Sequence, residues 1–211
     1  MMSVILYDYW RSSASYRVRI GLALKGIAYK RVSVDLLAGA QRGDAHLARN
    51  PQGLVPALEI DGLTLTQSLA ILEYLDETRR AAPLLPSSSS GRAVVRAIAH
   101  AIAMEIHPLN NLAVLKKIKA IGGEDVKNHW NTENIERGLA AVEALLNHPR
   151  AGQFCYEDTP GLAECCLIPQ LYNAHRWGVE VEKFPRIRAI EAACSQNAAI
   201  ASAHPDDFKP A

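Results

Sequence analysis

Two adjacent hydroxyl side chains, Ser12 and Ser13, stand where a short apolar run gives way to a helical pattern in the stretch YDYWRSSASYRVRIGLALKG. The amino end of a helix carries unpaired backbone N–H groups, and a thiol placed there has a lowered pKa. No cysteine precedes Cys155, so a thiol at this position would have to come from a ligand. The other interpretation of Ser12 is an ordinary helix cap, which contributes about 1 kcal/mol.

The four cysteines all lie in the second half of the chain, at Cys155, Cys165, Cys166 and Cys194. They show neither CxxC spacing nor a partnering HxxxH pair, so they indicate neither a zinc site nor a disulfide framework. We expect them to be small buried hydrophobic residues.

Length and charge limit the possible partners. The chain has 211 residues and a formal net charge of +1. This length suits one large domain or two modest ones, and we expect two. A balanced charge creates no global field that would attract nucleic acid or an anionic membrane. No apolar run reaches the roughly 18 residues of a membrane span, and the first residues are too polar for a signal peptide. We therefore expect a cytoplasmic protein without a nucleic-acid or membrane partner.

Strand and helix patterns alternate over the first 80 residues. Strands are predicted at residues 3–9 and 29–36, and the run LVPALEIDGLTL predicts a hairpin about Asp61-Gly62. A helix is predicted over residues 12–25 with Gly26 at its end, and a second helix begins at a capping Ser68. The order is β-α-β, a polar stretch, then β-β-α.

The second half shows helical patterns only. The proline- and serine-rich stretch APLLPSSSSG predicts a linker over residues 83–91 between a domain of residues 1–82 and a domain of residues 92–211. The predicted helices cover residues 92–119 with a bend near His107-Pro108, 124–146, 161–176 and 185–201. The fold class is therefore α/β plus all-α.

The stretch YWRSSASYRVRIGLALKG closely resembles the signature of the zeta-class glutathione transferases, a serine-serine-cysteine run followed by an aromatic residue and Arg-Val-Arg-Ile. The resemblance continues through NPQGLVPALEIDG, TQSLAILEYL, IHPLNNLAVL and IPQLYNAHRW, and so covers nearly the whole chain. It implies a thioredoxin-like domain, an all-helical domain, glutathione as cofactor and a homodimer. Ala14 stands where the family usually has cysteine, so a protein thiol there cannot be required.

The resemblance implies where glutathione binds. It makes the Ser12 hydroxyl a donor to the glutathione sulfur, supported by the Ser13 hydroxyl or the amides of Ser13 and Ala14. Val55-Pro56 resembles the family's cis-proline, which leaves the Val55 backbone free to pair with the cysteinyl part of the tripeptide. Gln67 and Ser68 would hold the γ-glutamyl carboxylate. Further implied glutathione contacts are Ser15, Arg17, Gln41, His107 and Asn111; structural pairing of Arg17 and simple solvation of Gln41 are equally good interpretations.

The substrates that the resemblance implies are dianions, which paired arginines bind well. It places Arg11 and Arg176 beside the substrate, although Arg176 also fits a residue that satisfies its own helix end. His107 and Asn111, four residues apart on one predicted helix, match positions that contact glutathione or substrate. A histidine beside Pro108 is also typical of a cap or core group.

One helix start is predicted to be purely structural. The stretch EDTPGLAECC resembles the helix start that transferases use as a folding nucleus, normally threonine followed three residues later by aspartate. Gly161 and Glu164 take these places here, and glycine can still cap while glutamate reaches back as in a capping box.

The activity implied is a glutathione-dependent cis–trans isomerisation of maleylacetoacetate, or alternatively of maleylpyruvate, by reversible thiolate addition to the double bond. Such an enzyme serves aromatic amino-acid or aromatic-ring catabolism and needs no metal. The same residues also fit two different functions. A transferase or dehalogenase of small α-halo acids would use the same thiolate and arginines, and a non-catalytic scaffold would keep only the fold.

Overall fold

The computed structural model describes residues 4–210. Contacts divide these residues into two compact units. The first takes the residues up to Leu84 together with those from Ala198 onward, and the second spans Leu85–Asn197. The carboxy-terminal residues therefore belong with the amino-terminal unit, whereas the sequence pattern assigned residues 92–211 to one helical domain.

A mixed four-stranded sheet forms the centre of the first unit, in the order β2-β1-β3-β4. Strands β1 and β2 are parallel, whereas β1–β3 and β3–β4 are antiparallel. The elements of this unit in chain order are β1 (Ile5–Asp8), α1 (Ser13–Leu24), β2 (Lys30–Ser33), α2 (Asp44–Leu47), β3 (Ala57–Ile60), β4 (Leu63–Thr66) and α3 (Ser68–Thr78). The predicted β-α-β then β-β-α order is confirmed, and the polar stretch contains α2 and a 3-10 turn (Ala40–Arg42).

Side chains alternate between the two faces of the sheet. Leu6 and Leu58 point toward a core that includes Val18 from α1 and Ile71 from α3. Gly21 lets the two helices approach closely, since a Cβ there would clash with Leu72 Cδ2. The helices α1 and α3 therefore cover one face of the sheet, and the start of α1, where a thiol could bind, is part of this packed layer.

The hairpin predicted about Asp61-Gly62 is present between β3 and β4. Both turn residues have positive φ, 54° at Asp61 and 79° at Gly62, as a type I′ turn requires. The turn sets the register that pairs Ala57 with Thr66.

The second unit is helical throughout its described elements. They are α4 (Ser89–His100), a π-helical segment (Ala101–Ile106), a 3-10 turn (His107–Asn110), α5 (Leu112–Leu145), α6 (Leu162–Arg176), a 3-10 turn (Val181–Lys183) and α7 (Pro185–Ser195). The gap predicted between residues 119 and 124 corresponds to a kink in α5, where Gly123 has a φ of 84°. No described helix is long and apolar enough to cross a membrane.

Glu164 organises the start of α6. Its carboxylate accepts hydrogen bonds from Gly161 N at 2.6 Å and Cys155 N at 2.7 Å, so the predicted capping box is present. Burial raises the pKa of this carboxyl. The four cysteines are buried and free, as expected, and burial raises the pKa of the Cys155 and Cys165 thiols well above the usual range.

The helix predicted over residues 185–201 is wrong at its end. Helix α7 ends at Ser195, and a short α8 (Ala198–Ala201) and a 3-10 turn (Pro205–Phe208) follow it. Helix α8 lies against α1 of the first unit. We call residues 198–210 the carboxy-terminal segment.

Candidate active site

Ser12 caps α1 with its side chain. Its φ and ψ of −70° and 121° are extended, and its Oγ accepts a hydrogen bond from Ser15 N at 3.2 Å. A hydroxyl that accepts one hydrogen bond still has its own hydrogen to donate. The predicted helix start is therefore confirmed, and Ser12 keeps a donor for a ligand atom.

The residues that follow Ser12 add further hydrogen-bond donors at the start of α1. Within residues 4–210, the N–H groups of Ser13 and Ala14 have no backbone acceptor and the Ser13 hydroxyl makes no hydrogen bond. The fully buried Ser15 hydroxyl also lacks a partner in the described chain. This first turn thus offers several donors and the positive end of the helix dipole, which together suit an anion such as a thiolate.

Arg11 occupies the turn immediately before the cap. Its guanidinium lies 5.4 Å from the centroid of the Trp10 ring, and the side chain is partly exposed. The turn is closed by a hydrogen bond from Ser12 N to Tyr9 O at 2.9 Å. A partly exposed cation therefore stands directly beside the Ser12 cap.

The Val55-Pro56 peptide bond is cis, as the resemblance implied. β3 begins just after it, at Ala57, which pairs with Tyr7 of β1. Among residues 4–210, Val55 makes no backbone hydrogen bond with its N–H or its carbonyl. Its main chain is therefore available to pair with an extended peptide in the manner of an added strand.

The start of α3 is a second helix end with free hydrogen-bond donors, although its cap residue differs from the predicted Ser68. Ser68 is the first residue of the helix, and Gln67 takes the cap position with a φ of 66° and no capping side-chain bond. Gln67 instead donates through Nε2 to Gln52 Oε1 at 2.8 Å. In the described chain the N–H groups of Ser68 and Leu69 have no acceptor, so they remain open to an anion.

Arg17 of α1 contacts the start of α3. It is 2% exposed, and its Nη1 donates to Ser68 Oγ at 3.2 Å. A buried cation at the amino end of α3 adds to the helix dipole and favours a carboxylate there. Gln41 lies in the Ala40–Arg42 turn of the same unit, and its buried Oε1 has no hydrogen-bond partner among the described residues.

His107, Asn111 and Arg176 belong to the second unit. His107 begins a 3-10 turn and Asn111 is the extended cap residue of α5, so the predicted i, i+4 pair on one helix is wrong. Asn111 Oδ1 accepts from Ala113 N at 3.0 Å and thus has a capping role. Arg176 is exposed at the last position of α6, with its guanidinium 5.9 Å from the Tyr172 ring.

Two residues near these helix starts were not among the predicted site residues. Gln52 accepts from Gln67, and its only sequence signal is its place in NPQG before the cis-proline. Arg19 is fully buried and pairs with Asp8 at 2.6 Å. A charged residue among the apolar positions of α1 was the signal for Arg19, but its partners are distant in sequence.

Residues 4–210 hold no cluster of three or more potential metal ligands. A thioredoxin-like unit with a cis-proline, two open helix starts and a helical unit after it is the architecture of the glutathione transferases. Residues 2–77 match the family model described as the glutathione S-transferase N-terminal domain.

Individual relatives define the class of this protein more narrowly. The chain is 54% identical over 208 residues to the maleylacetoacetate isomerase of Rhizobium meliloti strain 1021, with 98% of each chain covered. It also matches the crystal structure of a maleylacetoacetate isomerase of Anaeromyxobacter dehalogenans 2CP-1 with dicarboxyethyl glutathione and citrate in its active site. The TM-score is 0.88 and the identity is 45%, and the match covers 99% of this chain and 98% of that one.

A third match is a holo maleylpyruvate isomerase described as a bacterial zeta-class glutathione transferase, with a TM-score of 0.92, 41% identity and coverage of 95% and 96%. The chain therefore belongs to the zeta-class glutathione S-transferase family of maleylacetoacetate and maleylpyruvate isomerases.

Proposed function

We propose that this protein is a glutathione-dependent isomerase that converts maleylacetoacetate to fumarylacetoacetate. The observation that carries the proposal is the start of α1, where Ser12 caps the helix and keeps a donor while the neighbouring N–H groups remain open. The maleylacetoacetate isomerases of Rhizobium and Anaeromyxobacter match almost the whole chain.

The donor set of the first unit fits the three parts of glutathione. The hydroxyls of Ser12 and Ser13 and the amides of Ser13 and Ala14 suit a thiolate. The unpaired Val55 backbone beside Pro56 suits the cysteinyl amide groups. The open start of α3 at Gln67 and Ser68, backed by Arg17, suits the γ-glutamyl carboxylate. We assign Ser15 and Gln41, whose buried polar atoms lack partners in the described chain, to the same site.

Bound glutathione supplies a sulfur nucleophile that adds reversibly to the cis double bond of the substrate and so allows rotation about it. The chain's own groups prepare that chemistry. The Ser12 hydroxyl donates toward the sulfur position, and the amino end of α1 favours the anionic form there. Ala14 contributes no thiol, so the protein carries no competing thiol at the start of α1.

Cationic and amide side chains would bind the dianionic substrate. We assign Arg11, beside the Ser12 cap, to one carboxylate of the substrate, and Arg176, at the end of α6, to the other. His107 and Asn111 are assigned to contacts with glutathione or substrate, with Asn111 also capping α5. The citrate and dicarboxyethyl glutathione found in the Anaeromyxobacter relative support a site for carboxylates.

The experiment is a kinetic comparison with purified protein. Maleylacetoacetate and maleylpyruvate are each supplied with and without glutathione, and both the trans product and total glutathione are measured. We expect turnover only with glutathione, no net consumption of it, and a higher kcat/KM for maleylacetoacetate. A higher kcat/KM for maleylpyruvate would instead identify maleylpyruvate as the substrate. The similarity to the holo maleylpyruvate isomerase of the zeta class supports this alternative. Equal rates without glutathione would refute the mechanism.

Glutathione consumption and glutathione binding distinguish an isomerase from a transferase and from a scaffold. Net loss of glutathione with an α-halo acid, without isomerisation, would indicate a transferase or dehalogenase. Absence of glutathione binding in calorimetry would indicate a scaffold. We further propose that the protein acts in the cytoplasm, as a homodimer, in aromatic amino-acid catabolism. Size-exclusion chromatography with light scattering tests whether it is a dimer.

A further inference from the structure

Arg19 is a fully buried cation in the second turn of α1. Side chains on a helix point back toward its amino end. The Arg19 guanidinium accordingly reaches the turn that precedes the helix, where Nη2 donates to Trp10 O at 2.9 Å. Its Nη1 donates to Asp8 Oδ2 at 2.6 Å and its Nε to Ala203 O at 3.3 Å. One side chain thus binds β1, the turn before Ser12 and the carboxy-terminal segment.

Asp8 extends this network to a second arginine. The fully buried Asp8 carboxylate accepts from Arg31 Nε at 2.6 Å through its other oxygen, and Arg31 Nη1 donates to Phe208 O at 2.9 Å. The Phe208 ring lies 4.6 Å from the Arg19 guanidinium and 5.4 Å from that of Arg31. The carboxy-terminal segment is therefore fastened to both arginines by carbonyl oxygens and by an aromatic ring.

We propose that Arg19 is a positioning residue of the thiol site, which fixes the turn carrying Arg11 and Ser12 onto a platform made by Asp8 and the carboxy-terminal segment. The proposal rests on the proposed function, because it concerns the same glutathione-binding corner.

The position of the Trp10 carbonyl explains why this contact matters. Trp10 O belongs to the peptide unit that leads into Arg11, and the turn closes two residues later through Ser12 N and Tyr9 O. Rotation of that peptide unit would therefore move the Arg11 side chain and the Ser12 cap together. Donors at the start of α1 favour a thiolate only when they are held at the right distance and angle.

Arginine suits this role and lysine does not. The planar guanidinium presents five donors in a fixed fork and here serves Asp8, Trp10 O and Ala203 O at once. An ammonium group on a flexible stem keeps the charge beside Asp8 but cannot reproduce that planar set. The variant Arg19→Lys thus separates the charge of Arg19 from its hold on the turn.

The experiment compares Arg19→Lys with Arg31→Lys as a matched control. Arg31 shares Asp8 and the carboxy-terminal segment with Arg19, but among residues 4–210 it donates to Asp8 and Phe208 and not to the turn. For each protein we would measure the ultraviolet absorbance of the bound glutathione thiolate against pH, the pH profile of kcat/KM, and the urea-unfolding midpoint.

We expect both variants to lose stability, and only Arg19→Lys to change the thiol. In that variant the pKa of the bound thiol rises by about one unit, so kcat/KM falls by up to about tenfold at pH values below the wild-type thiol pKa. The loss recovers at higher pH, because the thiolate fraction recovers. Arg31→Lys keeps the wild-type titration. Equal titrations in the two variants, or a loss in Arg19→Lys that pH does not change, would overturn the proposal.

A second variant covers the case in which Arg19→Lys does not fold. Asp8→Glu keeps the charge and displaces the carboxylate that aligns Arg19, so it should raise the thiol pKa in the same direction by a smaller amount. Failure of both variants to fold, while Arg31→Lys folds, would assign Arg19 to stability alone and overturn the proposal. If the wild-type protein binds glutathione as a thiolate but isomerises neither substrate, the proposed function is refuted. The thiol titration would still decide the role of Arg19.

Discussion

The Ser12 hydroxyl oxygen accepts a hydrogen bond from the Ser15 N–H at 3.2 Å, so the residue that begins α1 acts as a cap and still has a hydrogen to donate. Ser88 has the same arrangement at the start of α4, where its Oγ accepts from Gly91 N at 3.1 Å. The two serines are thus equivalent as caps, and only Ser12 stands in the candidate thiol site.

This equivalence gives a controlled test of Ser12. We expect Ser12→Ala to lower kcat/KM for isomerisation on the order of 100-fold, because a donor to the thiolate is lost. Both Ser12→Ala and Ser88→Ala should lose about 1 kcal/mol of unfolding free energy. Steady-state kinetics and urea unfolding measure the two effects. Similar kinetics in both variants would reduce Ser12 to a cap.

Ser68 should affect the affinity for glutathione rather than turnover. Its Oγ is held by Arg17 at 3.2 Å at the open end of α3. We expect Ser68→Ala to raise the Kd for glutathione about tenfold, as for a lost hydrogen bond to a charged group, with kcat unchanged. Ser89→Ala is the matched control, since Ser89 is likewise the first residue of a helix. Calorimetry would contradict the assignment if both variants bound glutathione as wild type does.

Thiol reagents should leave the native enzyme active. Burial raises the pKa of the Cys155 and Cys165 thiols, and thiolate is the reactive form. We expect protein treated with iodoacetamide and then freed of reagent to keep its activity on addition of glutathione. Ala14→Cys places a thiol at the start of α1 and should lose activity under the same treatment. Inactivation of the wild-type protein would show that an internal cysteine serves the site.

Glu164 predicts a pH-dependent stability. Burial raises the pKa of its carboxyl in the folded protein above the ordinary value of 4.5, so the folded state binds this proton more tightly than the unfolded state. The resulting contribution is fully present below pH 4.5 and is lost as the pH rises through the folded-state pKa. The unfolding free energy of wild type minus that of Glu164→Gln should therefore fall from acidic to neutral pH in urea titrations.

Glu143 supplies the control for the loss of a backbone hydrogen bond. Its carboxylate accepts from Arg186 N and Ile187 N, both at 3.0 Å, at the start of α7. Glu143→Gln loses one backbone hydrogen bond as Glu164→Gln does, each loss costing about 1–3 kcal/mol when the group is buried. A difference for Glu164→Gln that grows with rising pH would contradict the direction assigned to its pKa.

Local patterns in the sequence determined much of the fold and of the site. The Ser12 cap, the Asp61-Gly62 turn, the Gly161–Glu164 capping box and the strand–helix order all depend on residues within a few positions of one another. Hydrogen-bond geometry and steric restriction act at that range, so residue types in fixed spacing predict them. The cis form of the Val55-Pro56 bond was predicted only from the resemblance to the glutathione transferases, because residue spacing alone does not indicate it.

Contacts between distant parts of the chain were decided only by the tertiary structure. Arg17 meets Ser68 across 51 positions, and Arg19 meets Ala203 across 184. No local pattern encodes such pairs, because a buried guanidinium takes whichever acceptors the packed chain brings to it. The sequence by itself thus determined where a thiolate could be held, and tertiary packing decided which distant residues hold that corner in place.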